Sequence, residues 1–387
     1  MHPEMVSLHC TIMRGGTSKG IFLLKNELPK NPDLRDKVIR AVFGSPDIRQ
    51  IDGLGGADIL TSKLAIIGPP TRGDADVDYT FAQVSIDTSK VDFKGNCGNI
   101  SSAVGPFAID KGFVQATEPI TTVRIHQTNT GKIIIAEVPT KDGKALVDGN
   151  YAIDGVPGSG AKINLDFSDS EGSVTGKLLP TGNVKDKLDV PGLGKIEVSI
   201  VDAANPVVFL KAQDVGMKGT ETPQEMDGDK ELLDRIERVR GKATEKIGLV
   251  NNWQEAATES PYIPFIVMVS PSASYETYNK KFIDEDEIDF VARLCFMLKT
   301  HKAYAITGTI CTGVAAKIPG TVVYEVLKEE AKKRKELVFG HPAGKIDVEA
   351  QVDDSGGKYV IRRAAVGRTA RMIMDGCVYI KKNILSQ

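Results

Sequence analysis

Residues 100–109 form a run of small and apolar side chains, with no charge before Asp110. A helix over this run would have no polar face, so it can only lie inside a core. The run follows the segment Gly-Asn-Cys-Gly-Asn at residues 95–99. The first turn of such a helix leaves backbone N–H groups without helical acceptors, and these groups attract an anion. The pattern predicts a buried central helix with an anion cradle at its start.

Apolar runs on both sides of this helix predict a mainly strand-forming first half. The predicted strands cover residues 8–13, 21–24, 61–67, 78–86, 121–126 and 132–138, and an amphipathic helix covers 32–43. Residues 14–20 contain three glycines, which predicts an irregular loop between the first two strands. Its arginine, lysine and two hydroxyls can clamp a carboxylate, and the alternative is a plain hairpin turn.

The second half repeats this plan. Strands are predicted at residues 195–201, 207–210 and 265–269, and helices at 231–246, 286–299 and 322–335. The run 307–316 matches the segment from Cys97 onward at a glycine, an isoleucine and a valine, which sets Cys97 opposite Thr307. The stretch between the halves is rich in Gly, Asp, Ser and Pro. We therefore expect domains at 1–183 and 184–387, with the option that the last strand returns to the first domain.

The repeat indicates an α/β (α+β mixed) fold of two pseudo-symmetric domains. Each domain is expected to be a curled mixed sheet around a central apolar helix. We expect the N-termini of the two central helices to face each other across a cleft. Two positive helix ends favour a small substrate that carries two or more carboxylates.

Composition narrows the class of protein. The chain has 387 residues with 41% hydrophobic and 26% charged residues, the balance of a globular protein with large cores. The net charge of −2 argues against nucleic acid or an anionic membrane as partner. The five cysteines form no CxxC pair, so neither a disulfide framework nor a metal site is expected. No secretory signal is visible and no apolar stretch is long enough to span a bilayer, which favours a cytoplasmic location.

Two residues carry candidate chemistry, and each has a plainer alternative. A thiol at a helix N-terminus has its thiolate form stabilised, but Cys97 can equally be a small buried residue. Lys63 stands at the start of an apolar strand, where a lysine more often points to water.

Five motifs resemble one enzyme family. They occupy residues 13–20, 61–63, 95–99, 318–321 and 340–344. On these motifs the sequence resembles the 2-methylaconitate cis–trans isomerases, a family that also contains 3-methylitaconate Δ-isomerase and 4-oxalomesaconate tautomerase. The resemblance covers nearly the whole chain and implies the diaminopimelate epimerase fold. It also implies a cofactor-independent isomerase that moves a proton between carbons of an unsaturated di- or tricarboxylic acid.

The resemblance assigns roles to single residues. It implies that Lys63 and Cys97 transfer the proton. It also implies that the substrate carboxylates are held by Thr17, Ser18, Gly98, Asn99, Thr309 and His341. His301, just before the second central helix, is a further candidate donor to a carboxylate. Either Lys63 or Cys97 can be the base, and the sequence does not assign it.

Two segments depart from the methylaconitate isomerases. They are residues 56–60 and residues 202–206, and the latter segment is more similar to the Asn-Pro loop of the epimerases. These departures favour a smaller dicarboxylate, 3-methylitaconate, which would be isomerised to 2,3-dimethylmaleate. The alternatives within the family are 2-methylaconitate and 4-oxalomesaconate.

Two hypotheses of other kinds stay open. A two-cysteine epimerase needs a second thiol, but the repeat sets Cys311 opposite Ser101, inside the helix. A non-catalytic accessory protein would bind a dehydratase partner through the charged segments 231–246 and 322–335. Assembly into a homo-oligomer is also left open.

Overall fold

The structure is a computed structural model and describes residues 2–93 and 95–386. The chain divides into two compact units, one formed by Met1–Leu165 with Arg368–Gln387 and the other by Asp166–Gly367. The chain thus passes into the second unit after residue 165, whereas the boundary predicted from the sequence lies at residue 183. Within the described ranges, no helix is both long and apolar enough to cross a membrane.

The N-terminal stretch contributes most of the first unit. Its strands are β1 (Met5–Gly15), β2 (Ser18–Leu24), β3 (Lys63–Gly68), β4 (Val77–Val84), β5 (Val91–Asp92), β6 (Ile120–Gln127), β7 (Lys132–Lys141), β8 (Lys144–Ala145) and β9 (Ile163–Asp166). Its α-helices are α1 (Pro32–Phe43) and α2 (Gly98–Asp110).

The following stretch forms the second unit, and one last strand returns to the first. The strands are β10 (Asp186–Val190), β11 (Gly194–Ala203), β12 (Asn205–Lys211), β13 (Phe265–Pro271), β14 (Tyr275–Glu276), β15 (Phe282–Ile283), β16 (Phe290–Phe296), β17 (Lys299–Thr300), β18 (Glu336–His341), β19 (Gly344–Asp354), β20 (Tyr359–Arg368) and β21 (Ala370–Lys381). The α-helices are α3 (Pro223–Gly228), α4 (Lys230–Lys246), α5 (Ala256–Glu259), α6 (Ile306–Ala316) and α7 (Val322–Val326).

Local sequence explains where helix α1 begins and ends. The Asn31 side chain caps it by accepting the Leu34 N–H at 2.9 Å, and Pro32 takes the first position, which needs no N–H donor. Gly44 ends the helix in the left-handed conformation, with φ of 74°. The buried face of α1 packs on the core side of β1–β4. The predicted helix over residues 32–43 is confirmed.

The first unit is a mixed sheet around α2. Strand β1 lies between β21 and β2 and runs antiparallel to both. From there, β2 pairs parallel with β3, β3 antiparallel with β4, and β4 parallel with β6. Strands β6 and β7 form the predicted hairpin. Helix α2 is buried from Gly98 to Ile109, as its lack of a polar face requires.

The second unit repeats these pairings in the same order. Strand β11 lies between β10 and β12 and runs antiparallel to both. Then β12 pairs parallel with β13, β13 antiparallel with β16, and β16 parallel with β18, which forms a hairpin with β19. Helix α4 takes the place of α1 against its sheet, and α6 is the second buried central helix. The predicted fold of two pseudo-symmetric domains is confirmed.

The packing of the two central helices corrects the predicted alignment of the repeat. A Cβ added to Gly105 would lie 2.7 Å from Val138 in β7, and one added to Gly313 would lie 2.8 Å from Val348 in β19. These glycines occupy the same place against equivalent hairpins. Counting back to the N-caps sets Cys97 opposite Ala305, not opposite Thr307. The predicted alignment, which matches Gly98 with Gly308, is therefore shifted by two residues.

Two predicted helices in the second unit are wrong. Residues 290–296 form strand β16, which pairs with β13 and β18 and whose side chains are all buried. A strand buried on both faces has no polar alternation, so its apolar run imitates a helix. In the segment 322–335, only Val322–Val326 is α-helical. The helix ends at Leu327, whose backbone is extended, and residues 327–335 are mostly charged, with only Leu327 and Ala331 apolar and buried.

Candidate active site

The tight turn between β1 and β2 rests directly on the first turn of α2. The predicted irregular loop at residues 14–20 is wrong: β1 continues to Gly15, β2 starts at Ser18, and the hairpin alternative is confirmed. Gly16 has φ of 51°, and a Cβ on Gly15 would lie 2.3 Å from the Asn99 carbonyl oxygen. These glycines therefore allow the turn to lie close against the helix and also allow the chain to reverse.

Two predicted binding residues contact each other across this approach. The Thr17 N–H donates to Asn99 Oδ1 at 3.2 Å. The neighbouring Arg14 holds the same turn, since its Nη1 donates to the Gly16 carbonyl at 3.0 Å and to the Thr369 carbonyl at 2.9 Å. Burial, with a smaller contribution from nearby Arg371, lowers the pKa of Arg14. In the structure this arginine supports the turn.

The hydroxyls of the turn are unsatisfied. The buried Thr17 Oγ1 and Ser18 Oγ atoms have no hydrogen-bond partner among residues 2–93 and 95–386. A buried hydroxyl without a partner costs about 1–3 kcal/mol. Two of them on consecutive residues are a reason to expect a polar ligand at this turn.

Helix α2 begins at the predicted anion cradle. Cys97 is its N-cap, with φ of −119° and ψ of 97°, and makes no side-chain capping bond. The N–H groups of Gly98, Asn99 and Ile100 have no acceptor within the helix. The Cys97 side chain is buried, while the Ser101 hydroxyl donates back to the Cys97 carbonyl at 3.0 Å. The thiol thus stands at the positive end of a buried helix dipole.

Lys63 is buried, so its interpretation as a surface residue is wrong. It is the first residue of β3 and is 6% exposed. Its Nζ donates to Gln83 Oε1 at 2.8 Å and lies 5.4 Å from the centre of the Phe81 ring. The Gln83 amide is held in turn, because its Nε2 donates to the Ser62 carbonyl at 2.9 Å. The ammonium therefore has a fixed position beside an amide oxygen and an aromatic ring.

Gly20 links Lys63 to the helix. A Cβ on Gly20 would lie 2.8 Å from Ile100 Cδ1 and 3.2 Å from the Lys63 carbonyl oxygen. Gly20 thus lies close to both the first turn of α2 and the backbone of Lys63, and six predicted site residues lie in the first unit. They are Thr17, Ser18, Lys63, Cys97, Gly98 and Asn99.

The other three predicted residues lie in the second unit: His301, Thr309 and His341. Thr309 lies inside helix α6, and its hydroxyl donates to the Ala305 carbonyl at 3.0 Å. Thr307 stands where Asn99 stands in α2. The Asn205 Nδ2 donates to Thr307 Oγ1 at 3.0 Å, across the turn between β11 and β12. The second unit thus repeats the bond between hairpin turn and helix start with different side chains.

The two histidines share one arrangement. Nδ1 of His301 accepts the Ala303 N–H at 3.0 Å, and Nδ1 of His341 accepts the Ala343 N–H at 3.2 Å. Both rings are buried, 5% and 2% exposed. A neutral imidazole whose Nδ1 accepts carries its proton on Nε2. When neutral, each ring is therefore protonated on Nε2.

The chemistry of the two units is not equivalent. At the places of Cys97 and Lys63, the second unit has Ala305 and Phe265. Cys311 lies inside α6, where its Sγ donates to the Val201 carbonyl at 3.2 Å. Burial raises the pKa of the Cys311 thiol well above its ordinary value. A pair of equivalent cysteines, as a two-cysteine epimerase needs, is absent from the two described helix starts.

Sequence reasoning missed Gln83, Phe81, Asn205 and Thr307. Gln83 could have been found from the strand pattern, because antiparallel pairing of the third and fourth predicted strands brings it opposite Lys63. Asn205 could have been found from the repeat. It directly follows the turn between β11 and β12, which is the equivalent of the glycine turn between β1 and β2.

The fold is shared with an enzyme of low sequence identity. A hydroxyproline epimerase from Agrobacterium vitis has the same fold, with a TM-score of 0.57 at 11% identity, covering 97% of this chain and 93% of that one. The sequence itself matches the PrpF protein family over residues 5–381. The chain belongs to the PrpF family.

Relatives in this family are similar over nearly their whole length. The chain is 54% identical to the 3-methylitaconate isomerase of Eubacterium barkeri, covering 98% of both chains. It is 37% identical to the 2-methyl-aconitate isomerase of Shewanella oneidensis, covering 99% of both. It is 39% identical to the 4-oxalomesaconate tautomerase of Pseudomonas putida, covering 97% of this chain and 96% of that one. A crystal structure of methylitaconate-delta-isomerase has a TM-score of 0.86 at 54% identity, covering 99% of this chain and 97% of that one.

Proposed function

We propose that this chain is an isomerase that moves a carbon–carbon double bond in a small unsaturated polycarboxylic acid by a 1,3-proton shift. The best substrate is 3-methylitaconate and the product is 2,3-dimethylmaleate. The observation that carries the proposal is the first unit's combination of a buried Lys63 with the Cys97-capped start of α2. Its supports are the unsatisfied hydroxyls of Thr17 and Ser18 and the 54% identity to a 3-methylitaconate isomerase.

The reaction only relocates a proton. A base removes the hydrogen from the carbon that bears a methyl group and a carboxylate. The electron pair spreads over the allyl unit and the carboxylate, and a proton returns at the terminal methylene, which becomes a methyl group. Substrate and product have the same atoms and the same oxidation level. The balance therefore requires no redox partner, and the difficulty lies in stabilising the carbanion.

The residues of the first unit suit these tasks. Lys63 and Cys97 are proposed to carry the proton between them, one removing it and the other returning it. The free N–H groups at the start of α2 and the Thr17 and Ser18 hydroxyls are proposed to bind a carboxylate and the charge that develops on it. Preorganised donors of this kind need no reorientation during the reaction.

For the second unit we propose carboxylate binding without proton transfer. His301 and His341 would donate from Nε2, with Thr309 near the start of α6 as the third predicted contact. The replacement of Lys63 and Cys97 by Phe265 and Ala305 at equivalent places supports this division of labour.

A direct assay tests the proposal. The purified protein, without added cofactors, is mixed with 3-methylitaconate, trans-aconitate, 2-methylaconitate or 4-oxalomesaconate and followed by ultraviolet absorbance. Proton NMR in D₂O locates the transferred hydrogen. We expect the fastest turnover with 3-methylitaconate and deuterium in the new methyl group. Faster turnover of a tricarboxylate would keep the reaction class and replace the substrate, and no turnover of any of the acids would refute the proposal.

A further inference from the structure

Tyr275 holds the turn that begins at His341. It belongs to the small β14–β15 sheet and is 6% exposed. Its hydroxyl lies 2.8 Å from the His341 carbonyl oxygen and 2.6 Å from the Gly344 carbonyl oxygen. His341 and Gly344 are the paired residues that close the β18–β19 turn. One phenolic O–H therefore holds both ends of the turn.

The same segment holds the middle of the turn as well. The Tyr278 N–H donates to the Pro342 carbonyl at 3.3 Å. Within the turn, the Ala343 N–H donates to His341 Nδ1 and so sets the direction of the ring. The orientation of the imidazole thus depends on the turn, and the turn depends on residues 275–278.

The position of Tyr275 is tightly constrained. A Cβ on Gly340 would lie 2.7 Å from the Tyr275 hydroxyl, so only glycine allows this approach. The guanidinium carbon of Arg293 lies 4.9 Å from the centre of the Tyr275 ring, and Arg293 is 1% exposed. A buried cation over an aromatic ring is stabilised by the ring face, so moving the ring is costly.

The first unit shows why a separate clamp is needed. Its equivalent β6–β7 turn is held by its own Asn129, which accepts the Phe81 N–H at 2.8 Å and donates to the Phe81 carbonyl at 2.9 Å. The corresponding turn residues in the second unit are Pro342 and Ala343, whose side chains cannot hydrogen-bond. A tyrosine from elsewhere takes over that task.

We infer that Tyr275 is a positioning residue that fixes His341 for substrate binding. The inference rests on the proposed function for the role of His341, and on the contacts above for the clamp. In this inference Tyr275 acts through the turn and not through contact with the substrate. Its hydroxyl restricts the turn, and the turn fixes the orientation of the His341 ring.

Kinetics of matched variants test the link. Tyr275→Phe removes the hydroxyl and keeps the ring over Arg293. Tyr278→Phe is the control, because its contact with the turn is made by the backbone. We expect Tyr275→Phe to raise KM for 3-methylitaconate about tenfold, the scale of one lost hydrogen bond, with a much smaller change in kcat. In a His341→Gln background the same change should raise KM no further, because the two residues act as one unit.

A second measurement works without any activity. Hydrogen exchange of the Ala343 amide should be about tenfold faster in Tyr275→Phe than in wild type and unchanged in Tyr278→Phe. Equal exchange in all three proteins would overturn the clamp. A KM effect that persists in the His341→Gln background would overturn the route through His341. If the wild-type protein isomerises no acid, the proposed function fails while the exchange experiment still decides the clamp.

Discussion

Lys63 shows how far the neighbours of one residue decide its role. By residue type and strand position, a surface lysine is the common outcome. In the structure it is buried, and its ammonium is held 2.8 Å from Gln83 Oε1. Gln83 lies on the next strand, opposite Lys63 in the pairing of β3 with β4. The contact joins residues that are distant in sequence, so no local pattern around Lys63 contains it.

Removal of either proposed proton-transfer group should nearly abolish turnover. We expect Lys63→Ala and Cys97→Ser each to lower kcat at least ~100-fold, the usual scale for a general acid or base. Steady-state kinetics on 3-methylitaconate provide the measurement. Lys187→Ala and Cys377→Ser are matched controls, because both side chains lie at the surface of the protein.

Three outcomes separate the possible roles. Near-normal turnover in both Lys63→Ala and Cys97→Ser would remove these residues from the mechanism. Loss in one variant alone would assign a single residue to both proton steps. Deuterium uptake without net isomerisation in one variant would identify its residue as the group that returns the proton.

At the scale of elements, the hairpin turn on α2 depends on glycine. Gly16 combines a positive φ with a crowded surface, since a Cβ there would lie 2.1 Å from Asn99 Oδ1. Gly131 in the β6–β7 turn has φ of 68° and open space around it. Alanine at Gly131 therefore tests backbone strain alone, whereas alanine at Gly16 tests the same strain together with a steric clash with Asn99.

Alanine at these glycines should give different losses. Gly131→Ala should reduce the free energy of unfolding by about 1–2 kcal/mol, the cost of a left-handed conformation for a residue with Cβ. Gly16→Ala should cost at least about 1 kcal/mol more, because Asn99 must move. It should also lower kcat/KM, since Thr17 and Asn99 share the contact. Urea unfolding and steady-state kinetics measure both effects, and equal losses would contradict the proposed contact.

Elements with one apolar stripe or a wholly apolar surface could be predicted from the sequence. Helix α1 covers the predicted residues, and α2 extends the predicted run by Gly98 and Asn99 at its start and by Asp110 at its end. Strand β16 could not be distinguished from a helix by its own residues, because it is buried on both faces. Strand β16 is the equivalent of β4 in the repeat, and this equivalence would have corrected the prediction.

At the scale of the whole molecule, carboxylates held by hydrogen bonds should set the acid limit of stability. Burial raises the pKa of Asp78, but bonds from Thr71 and His126 outweigh it and place the pKa below its ordinary value of 3.8. In the same way, Lys111 and Thr11 outweigh burial at Asp375 and lower its pKa. A carboxylate whose pKa is lowered by folding stabilises the protein above its unfolded-state pKa. That stability is lost as the pH falls through the folded-state pKa.

We therefore expect the free energy of unfolding to decrease as the pH falls below about 4. Urea unfolding at a series of pH values from about 6 to about 3 measures the slope. In Asp78→Asn the slope should be smaller, because one of the titrating groups is gone. A stability that stays constant across this range would contradict the role of these carboxylates.

Two things followed from the sequence by itself. The apolar run at residues 100–109 required a buried helix, and the repeat of strand and helix patterns required two similar sheets around two such helices. Both depend on the order of apolar and polar residues along short segments, which a chain carries into any environment.

Only the tertiary structure decided the polar details of the site. Strand pairing buried Lys63 beside Gln83, packing of the turn on α2 left the Thr17 and Ser18 hydroxyls unsatisfied, and glycine contacts set Ala305 opposite Cys97. These are contacts between segments far apart in sequence. Their geometry depends on sheet register and side-chain packing, and the periodicity of a single segment contains no information about either.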